Sequence, residues 1–354
     1  MRAPAFWWPA PPLPIARLLQ PFGSIYGAFT ARRMGAAGYA PASPVICVGN
    51  FTAGGAGKTP TAIALASRLR DMGLAPAFLT RGYGGRLRGP VLLGVDAEAD
   101  AEFTHADVGD EPLLLARHAP VAVARDRRAG VEALANAGVA ADALIMDDGL
   151  QNPSLAKTLT FAVVDGETGV GNGLCLPAGP LRAPLPRQWP HVDAVIVIGE
   201  GAGGEAVARA ARALGKRVFA ARIEPDPDAA RLVRGKRVFA FAGIGRPQKF
   251  FDMLTDIGAD VVATRSFGDH MPFTPGQIAA IEDEARQGEL LPVTTEKDAV
   301  RLATLTAAPD LRASVAIIPV RVAFEDEDGL RDYLAAQLAL QARAPDAASA
   351  HSGP

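Results

Sequence analysis

Three observations predict an α/β fold built on a doubly wound, mostly parallel sheet. Short apolar runs alternate with helical segments, the first buried run breaks into a glycine-rich turn closed by Gly-Lys-Thr, and a later run ends in two adjacent aspartates. With 354 residues, 49% of them hydrophobic, the chain can fill two cores, and a second, smaller α/β domain is expected beyond the Pro225-Asp226-Pro227 break.

The first element is an amphipathic helix. Phe6-Trp7-Trp8-Pro9 leads through a proline-punctuated stretch to Phe22, Ile25, Tyr26 and Phe29, which share one helical face. Pro21 suits a first turn, with Arg17 before it, and Arg32 and Arg33 fall at the C-terminal end, where cations are favoured. Such a face either lies in a bilayer interface or packs on the protein's own core, and the paired tryptophans favour the interface. Prolines and Arg17 leave no uninterrupted run of about 18 apolar residues, so neither a spanning helix nor a cleaved signal peptide is expected.

Val45 to Gly49 reads as a buried strand that runs into Thr52-Ala53-Gly54-Gly55-Ala56-Gly57-Lys58-Thr59. Small residues let successive backbone N–H groups face phosphate oxygens, Lys58 reaches the β and γ positions, and the Thr59 hydroxyl ligates Mg²⁺. A helix from Thr61 to Arg70 points its N-terminus at the anion. Thr52 replaces the usual first glycine, so the match is to the second half of the motif. The acid-ended strand Ala143 to Asp147 supplies a second Mg²⁺ anchor in Asp147, while Asp148, next along an extended chain, is expected to point the other way. Acids after a buried strand also cap turns, but the phosphate loop upstream favours the metal role. These features predict a P-loop NTPase-like architecture that uses ATP and Mg²⁺.

Pro76 to Thr80 is the next expected strand, leading to Arg81-Gly82-Tyr83-Gly84-Gly85, a ligand loop. A helix over Gly109 to His118 opens with Asp110 and Glu111, followed by a strand at Val121 to Ala124 and a helix from Arg127. Asp110 sits where a βα loop brings a carboxylate to the catalytic edge of a sheet, although the helix dipole accounts equally well for an acid there. Beyond the strand Phe161 to Asp165 lies a long loop, Gly169 to Pro186, of the kind that often carries function. Strands at Ala194 to Ile198 and Arg217 to Ala221 flank a helix at Glu205 to Leu214 and complete the first domain.

The smaller domain begins with the strand Arg237 to Ala242 and the turn Gly243-Ile244-Gly245-Arg246, whose isolated G-x-G is weak evidence for a nucleotide. Val261 to Arg265, the turn Gly268-Asp269-His270-Met271-Pro272-Phe273, a helix at Pro275 to Gln287 and the segment Pro292 to Asp298 follow. His270 in such a turn is not a core residue. Closure of the domains would bring it to Asp110 as a carboxylate and imidazole pair that accepts a hydroxyl proton. The expected division is therefore an interfacial segment (1–40), an ATP-binding domain (41–224), a linker (225–236), the smaller domain (237–343) and a disordered tail (344–354).

A net charge of −2 without an aromatic-interleaved basic stripe argues against nucleic acid as a partner, and nothing marks a protein partner. Two cysteines, Cys47 and Cys175, and five scattered histidines fit neither a disulfide framework nor a zinc site and point to a reducing compartment.

Seven ordered blocks run along the chain: Asn50 to Pro60, Arg81 to Gly84, Gly109 to Pro112, Asp147 to Gln151, Pro177 to Arg182, Asp269-His270 and Thr295 to Asp298. Together they resemble the tetraacyldisaccharide 4'-kinase (lipid A 4'-kinase) family over nearly its full length. The resemblance implies transfer of the ATP γ-phosphate to the 4'-hydroxyl of a tetraacylated glucosamine disaccharide 1-phosphate, giving lipid IVA, by an enzyme peripheral to the cytosolic face of the inner membrane. It further implies that Lys58 and the loop amides hold phosphates, that Thr59 and Asp147 hold Mg²⁺, and that Asp110 acts as base with His270 assisting. Glu111 and Asp148 would tune metal and water, and Arg127 and Arg182 are lesser candidates for stabilising transferred charge or gripping the substrate phosphate. Ala183 stands where the family commonly has an acid. The rival reading is a membrane-associated P-loop switch ATPase, but such proteins place a lysine before the paired glycines, where this chain has Ala53.

Overall fold

The computed structural model describes residues 3–100, 102–269, 271–303, 311 and 314–342. The chain forms β1 (Val45–Gly49), β2 (Pro76–Thr80), β3 (Val91–Leu93), β4 (Val121–Val123), β5 (Ala143–Asp147), β6 (Leu159–Asp165), β7 (Ala194–Ile198), β8 (Arg217–Pro225), β9 (Arg237–Ala242), β10 (Asp260–Ser266), β11 (Leu291–Thr295), β12 (Ala316–Ile318) and β13 (Val320–Phe324). A nine-stranded sheet has the order β13-β8-β7-β6-β1-β5-β2-β4-β3, and a four-stranded sheet the order β10-β9-β11-β12. The smaller sheet is parallel throughout. In the larger one only the edge pairs β3 with β4 and β13 with β8 are antiparallel.

The central strands β1, β2, β5 and β6 are buried along their whole length, which is why each reads as a continuous apolar run rather than an alternating one. Ile46, Val48, Leu65, Phe78, Ile145 and Phe161 share the core on one side, and Phe51, Leu150, Val164 and Trp189 the core on the other. β1 lies between β5 and β6, so successive crossovers diverge at its C-terminal end and leave a crevice there. Val48 pairs with Asp147, which sets the strand-end carboxylate level with the start of the glycine-rich turn.

Three segments differ from the sequence expectation. The 225–236 stretch read as a linker contains a helix, Pro227–Val233, capped by the Asp226 carboxylate, and Val233 is buried in the core of the smaller sheet. Pro at the first helical position and Asp at the cap are start signals that the proline-rich composition concealed. After β12 the chain returns to the larger sheet: β13 pairs with β8, and Leu330 and Leu334 of the helix Glu327–Ala342 enter its core. Residues 320–342 therefore build the larger unit, although the sequence assigns them to the smaller.

The third is the N-terminal helix, which runs from Pro14 to Met34 and holds Arg17 and Pro21 inside it rather than before and at its start. Pro14 takes the first-turn position. Gly23 and Gly27 press on the 172–184 loop so closely that a Cβ would stand 2.6 Å from Cys175 O at the first and 2.7 Å from Cys175 Sγ at the second. The opposite face leaves Leu18, Phe22, Ile25 and Phe29 between 64% and 76% exposed, so this row does not pack on the core. The tryptophans behave differently: Trp7 Nε1 donates to Pro177 O at 2.9 Å, and the Trp8 ring lies under Arg246. Among the described residues, no helix is long and apolar enough to cross a membrane.

Candidate active site

The glycine-rich turn leaves β1 and opens the helix Lys58–Asp71, whose N-cap Gly57 has φ +86°. A β-carbon at Gly54 or Gly55 would meet no atom within 4 Å, so this backbone borders open space, as an anion cradle requires. The first half of the turn is anchored instead of open. Thr52 is buried and bridges Leu181, the Ala53 N–H donates to Pro180 O at 2.7 Å, and Arg182 Nε donates to Thr52 O at 3.1 Å. Thr52 thus stands in place of the usual glycine because the chain there joins the 176–182 loop rather than wrapping a phosphate. Ala56 is also buried, on the inner side of the turn.

Thr59 Oγ1 donates to Asp147 Oδ2 at 3.1 Å, bringing together the two residues expected to hold a divalent cation. Asp147 is 1% exposed, and its Oδ1 accepts no hydrogen bond among the described residues. Burial, with Glu111 and Asp148 nearby, pushes its carboxyl up to about 7 against the pull of Lys58 and the Thr59 hydroxyl. An ionised carboxylate left so poorly compensated is the donor set of a hard cation, and Mg²⁺ fits it.

Asp148 does not point away along an extended chain. It has φ +53°, outside β5, and the left-handed turn folds its carboxylate back into the site. There it lies 3.7 Å from Lys58 Nζ and 3.0 Å from Arg182 Nη1. Burial would raise its carboxyl, but Lys58 and Arg182 outweigh that and hold it at about 2. Lys58 Nζ also donates to Gly54 O at 3.4 Å, so the cradle's lysine is turned inward on its own loop.

Asp110 begins the helix Asp110–Ala116 after Gly109, which has φ +91° and would place a Cβ 2.5 Å from Tyr83 O; this close approach seats the Arg81 to Gly85 loop beside Asp110. Asp110 Oδ2 accepts from Arg301 Nε at 2.9 Å and from Arg301 Nη2. Lys297 Nζ lies 3.8 Å from Asp110, 3.7 Å from Glu111 and 3.5 Å from Asp269. His270 lies outside the described residues. Arg127 is buried, donates through Nη1 to Ala124 O, and has no hydrogen-bond partner for Nε among the described residues; burial brings it down to about 10, with Asp148 a compensating charge and Arg81 an opposing one.

Sequence reasoning missed three groups. Gln151 donates to Asn50 O at 2.8 Å and to Gln188 Oε1 at 2.9 Å, fixing the strand exit beneath the cradle. Asp165, at the end of β6, takes Lys249 at 2.8 Å and Arg246 at 2.9 Å from the smaller sheet's side. Arg301 and Lys297 converge on Asp110 from the helix Glu296–Ala303; their i, i+4 spacing would have placed both on one face had that helix been drawn from the sequence.

A cradle opening a helix from the central strand, with the neighbouring strand's carboxylate bonded to the helix's first-turn threonine, defines the class of P-loop phosphotransferases. Within that class the chain belongs to the tetraacyldisaccharide-1-P 4'-kinase (LpxK) family, whose model matches residues 15–339. A tetraacyldisaccharide 4'-kinase of Methylorubrum populi is 56% identical over 339 residues, covering 96% of this chain and 99% of the relative. The protein of that name from Rhodopseudomonas palustris is 48% identical over 94% of this chain and 96% of its own length. The crystal structure of the "apo" form LpxK from Aquifex aeolicus in complex with ATP shares the fold, with a TM-score of 0.69 and 24% identity over 91% of this chain and 99% of that one.

Proposed function

We propose that this chain is a lipid kinase that moves the γ-phosphoryl group of ATP to the 4'-hydroxyl of tetraacyldisaccharide 1-phosphate, giving lipid IVA and ADP. The named relatives support the reaction. The observation that carries it within the site is the 3.1 Å hydrogen bond from Thr59 Oγ1 to the buried Asp147 carboxylate, at the helix that the glycine-rich turn opens and beside the Lys58 and Asp148 pair.

The residues divide the work. The loop amides from Gly54 to Thr59 and the Lys58 ammonium take the phosphates, the Ala53 N–H being held by Pro180 O, and Lys58 exchanges Gly54 O and Asp148 for phosphate oxygens as ATP enters. Thr59 and Asp147 would hold Mg²⁺, which when bound neutralises charge on the β and γ oxygens. Asp110, assisted by His270, takes the acceptor's hydroxyl proton as that oxygen bonds to the γ-phosphorus and the bond to the β–γ bridging oxygen breaks. Glu111 and Asp148 tune the charge around the cation. Arg182 holds Asp148, and Arg127 supplies buried positive charge beneath both aspartates.

A substrate held in a bilayer by four acyl chains must be met at the interface, and the exposed row Leu18, Phe22, Ile25 and Phe29, with Arg32 and Arg33 in the helix's last turn, suits a peripheral position on the cytosolic face of the inner membrane. The switch ATPase reading lacks its lysine: Ala53 stands there, its N–H on Pro180 O. Incubation with γ-labelled ATP and the tetraacyl disaccharide tests the proposal. Label should enter the lipid, and label released only as free phosphate would reject it.

A further inference from the structure

We infer that Arg301 is a positioning residue for Asp110, holding the proton-accepting carboxylate from the smaller sheet's side of the cleft. The inference rests on the reading of Asp110 as the base.

Arg301 reaches Asp110 across 191 residues of sequence, donating to Oδ2 through Nε at 2.9 Å and through Nη2. Its remaining nitrogen, Nη1, donates to Gly243 O at 2.8 Å and to Asp298 Oδ1 at 2.9 Å. Asp298 accepts in turn from the Gly243 N–H at 3.0 Å and from Thr295 Oγ1 at 2.7 Å. The side chains of Arg301, Asp298 and Asp110 are 1%, 0% and 5% exposed. Fastened to a backbone carbonyl and a buried carboxylate, the guanidinium is a fixed plane rather than a swinging charge.

That arrangement matters to a base. The terminal torsion of an aspartate is broad, so an unheld carboxylate presents either oxygen over a wide arc. Proton transfer within an ordered complex needs one oxygen at one place, and a displacement of about 1 Å can cost about 100-fold in rate. Both guanidinium donors fall on Oδ2, which fixes the direction in which the carboxylate is held. The helix dipole alone would account for an acid at the start of Asp110–Ala116, but it does not account for a buried arginine brought to it from another sheet and clamped there. Because Gly243 is the first residue after β9, the hold on Asp110 is made only while the smaller sheet's loops are seated against the Asp110–Ala116 helix. Lys297, Glu111, Asp269, His105 and Asp107 are other charged or titratable groups nearby among the described residues.

The test compares Arg301→Gln, Arg301→Lys and Asp110→Asn in the full chain, measuring kcat, KM for ATP and the thermal midpoint. Arg301→Gln is expected to lower kcat by about 30- to 100-fold with KM for ATP within about twofold. Arg301→Lys, which keeps a donor for Oδ2, is expected to recover about tenfold of that loss. Wild-type kcat in Arg301→Gln beside an inactive Asp110→Asn would overturn the inference and spare the base. Equal loss of kcat in Gln and Lys variants, tracking a lowered midpoint, would make Arg301 a tie between sheets and nothing more. Full activity in Asp110→Asn would remove the base reading itself, and the inference with it.

Discussion

The Thr59 hydroxyl and Asp147 meet at 3.1 Å through Oδ2, while the other oxygen of the same buried carboxylate accepts no hydrogen bond among the described residues. With its folded-state proton affinity raised to about 7 by burial, Asp147 contributes most favourably to stability when protonated, and that contribution is lost as pH rises through about 7. Above that pH the ionised group is a net cost to the metal-free fold. Asp147→Asn should therefore abolish Mg²⁺-dependent turnover yet stabilise the metal-free protein at pH 8 by about 2–4 kcal/mol. Denaturant midpoints measured with chelator present check this, and an unchanged or lowered midpoint would contradict it.

Asp148 is shared between Lys58 at 3.7 Å and Arg182 at 3.0 Å. Removing the arginine leaves Lys58 as the nearer counter-ion and holds it more tightly off the phosphates. Arg182→Gln should raise KM for ATP about five- to tenfold with a smaller change in kcat. Steady-state kinetics at saturating lipid separate the two constants, and a pure kcat effect would point to a role on the acceptor instead.

Loss of the base should cost about two or more orders of magnitude in turnover while ATP binding persists. Asp110→Ala and His270→Ala are each expected to show this, by transfer assay and by equilibrium nucleotide titration. Turnover near the wild-type rate in either variant would strip that residue of its role.

The row on the N-terminal helix is exposed, so changing it should not disturb packing. Phe22→Glu combined with Phe29→Glu is expected to weaken co-sedimentation with anionic vesicles while the free energy of unfolding stays within about 1 kcal/mol of the original. Unchanged vesicle binding would exclude this face as the contact.

Asp165 carries a pH dependence of the opposite sign to that of Asp147. Burial would raise its carboxyl, but Lys249, the Thr168 N–H and Arg246 outweigh that and hold it at about 2. The stability it contributes is present above pH 4 and is lost as pH falls through about 2. Because Lys249 is half exposed, about 1–2 kcal/mol is a reasonable discounted size. The stability gap between the wild type and Asp165→Asn should therefore narrow from pH 6 to pH 3, and a gap constant with pH would rule out the charge as its source.

Much of this was legible in the chain. Buried parallel strands announce themselves as apolar runs, and Gly-Lys-Thr after one of them fixed the cradle, because backbone spacing alone dictates where Lys58 and Thr59 fall. What escaped depended on long-range geometry. Whether Asp148 turns back depends on one left-handed residue, which neighbouring sequence does not specify, and the Arg301 contact joins residues 191 positions apart. The linker reading failed because prolines mark helix starts as well as breaks, and β13 looked like part of the smaller unit only because it follows it in sequence.

The antiparallel pairing of Pro225 with Val320 places the chain's exit from the larger sheet beside its re-entry. In topological terms the whole of 226–319 is an insertion in a parent sheet that would close without it by an ordinary hairpin. Both tethers leave from one edge, so they constrain rotation about that edge far less than separation from it. The orientation of the inserted unit is then set by the ionic contacts it makes with the parent, those at Asp165, Asp110, Glu111 and Arg117 among them, rather than by the covalent chain.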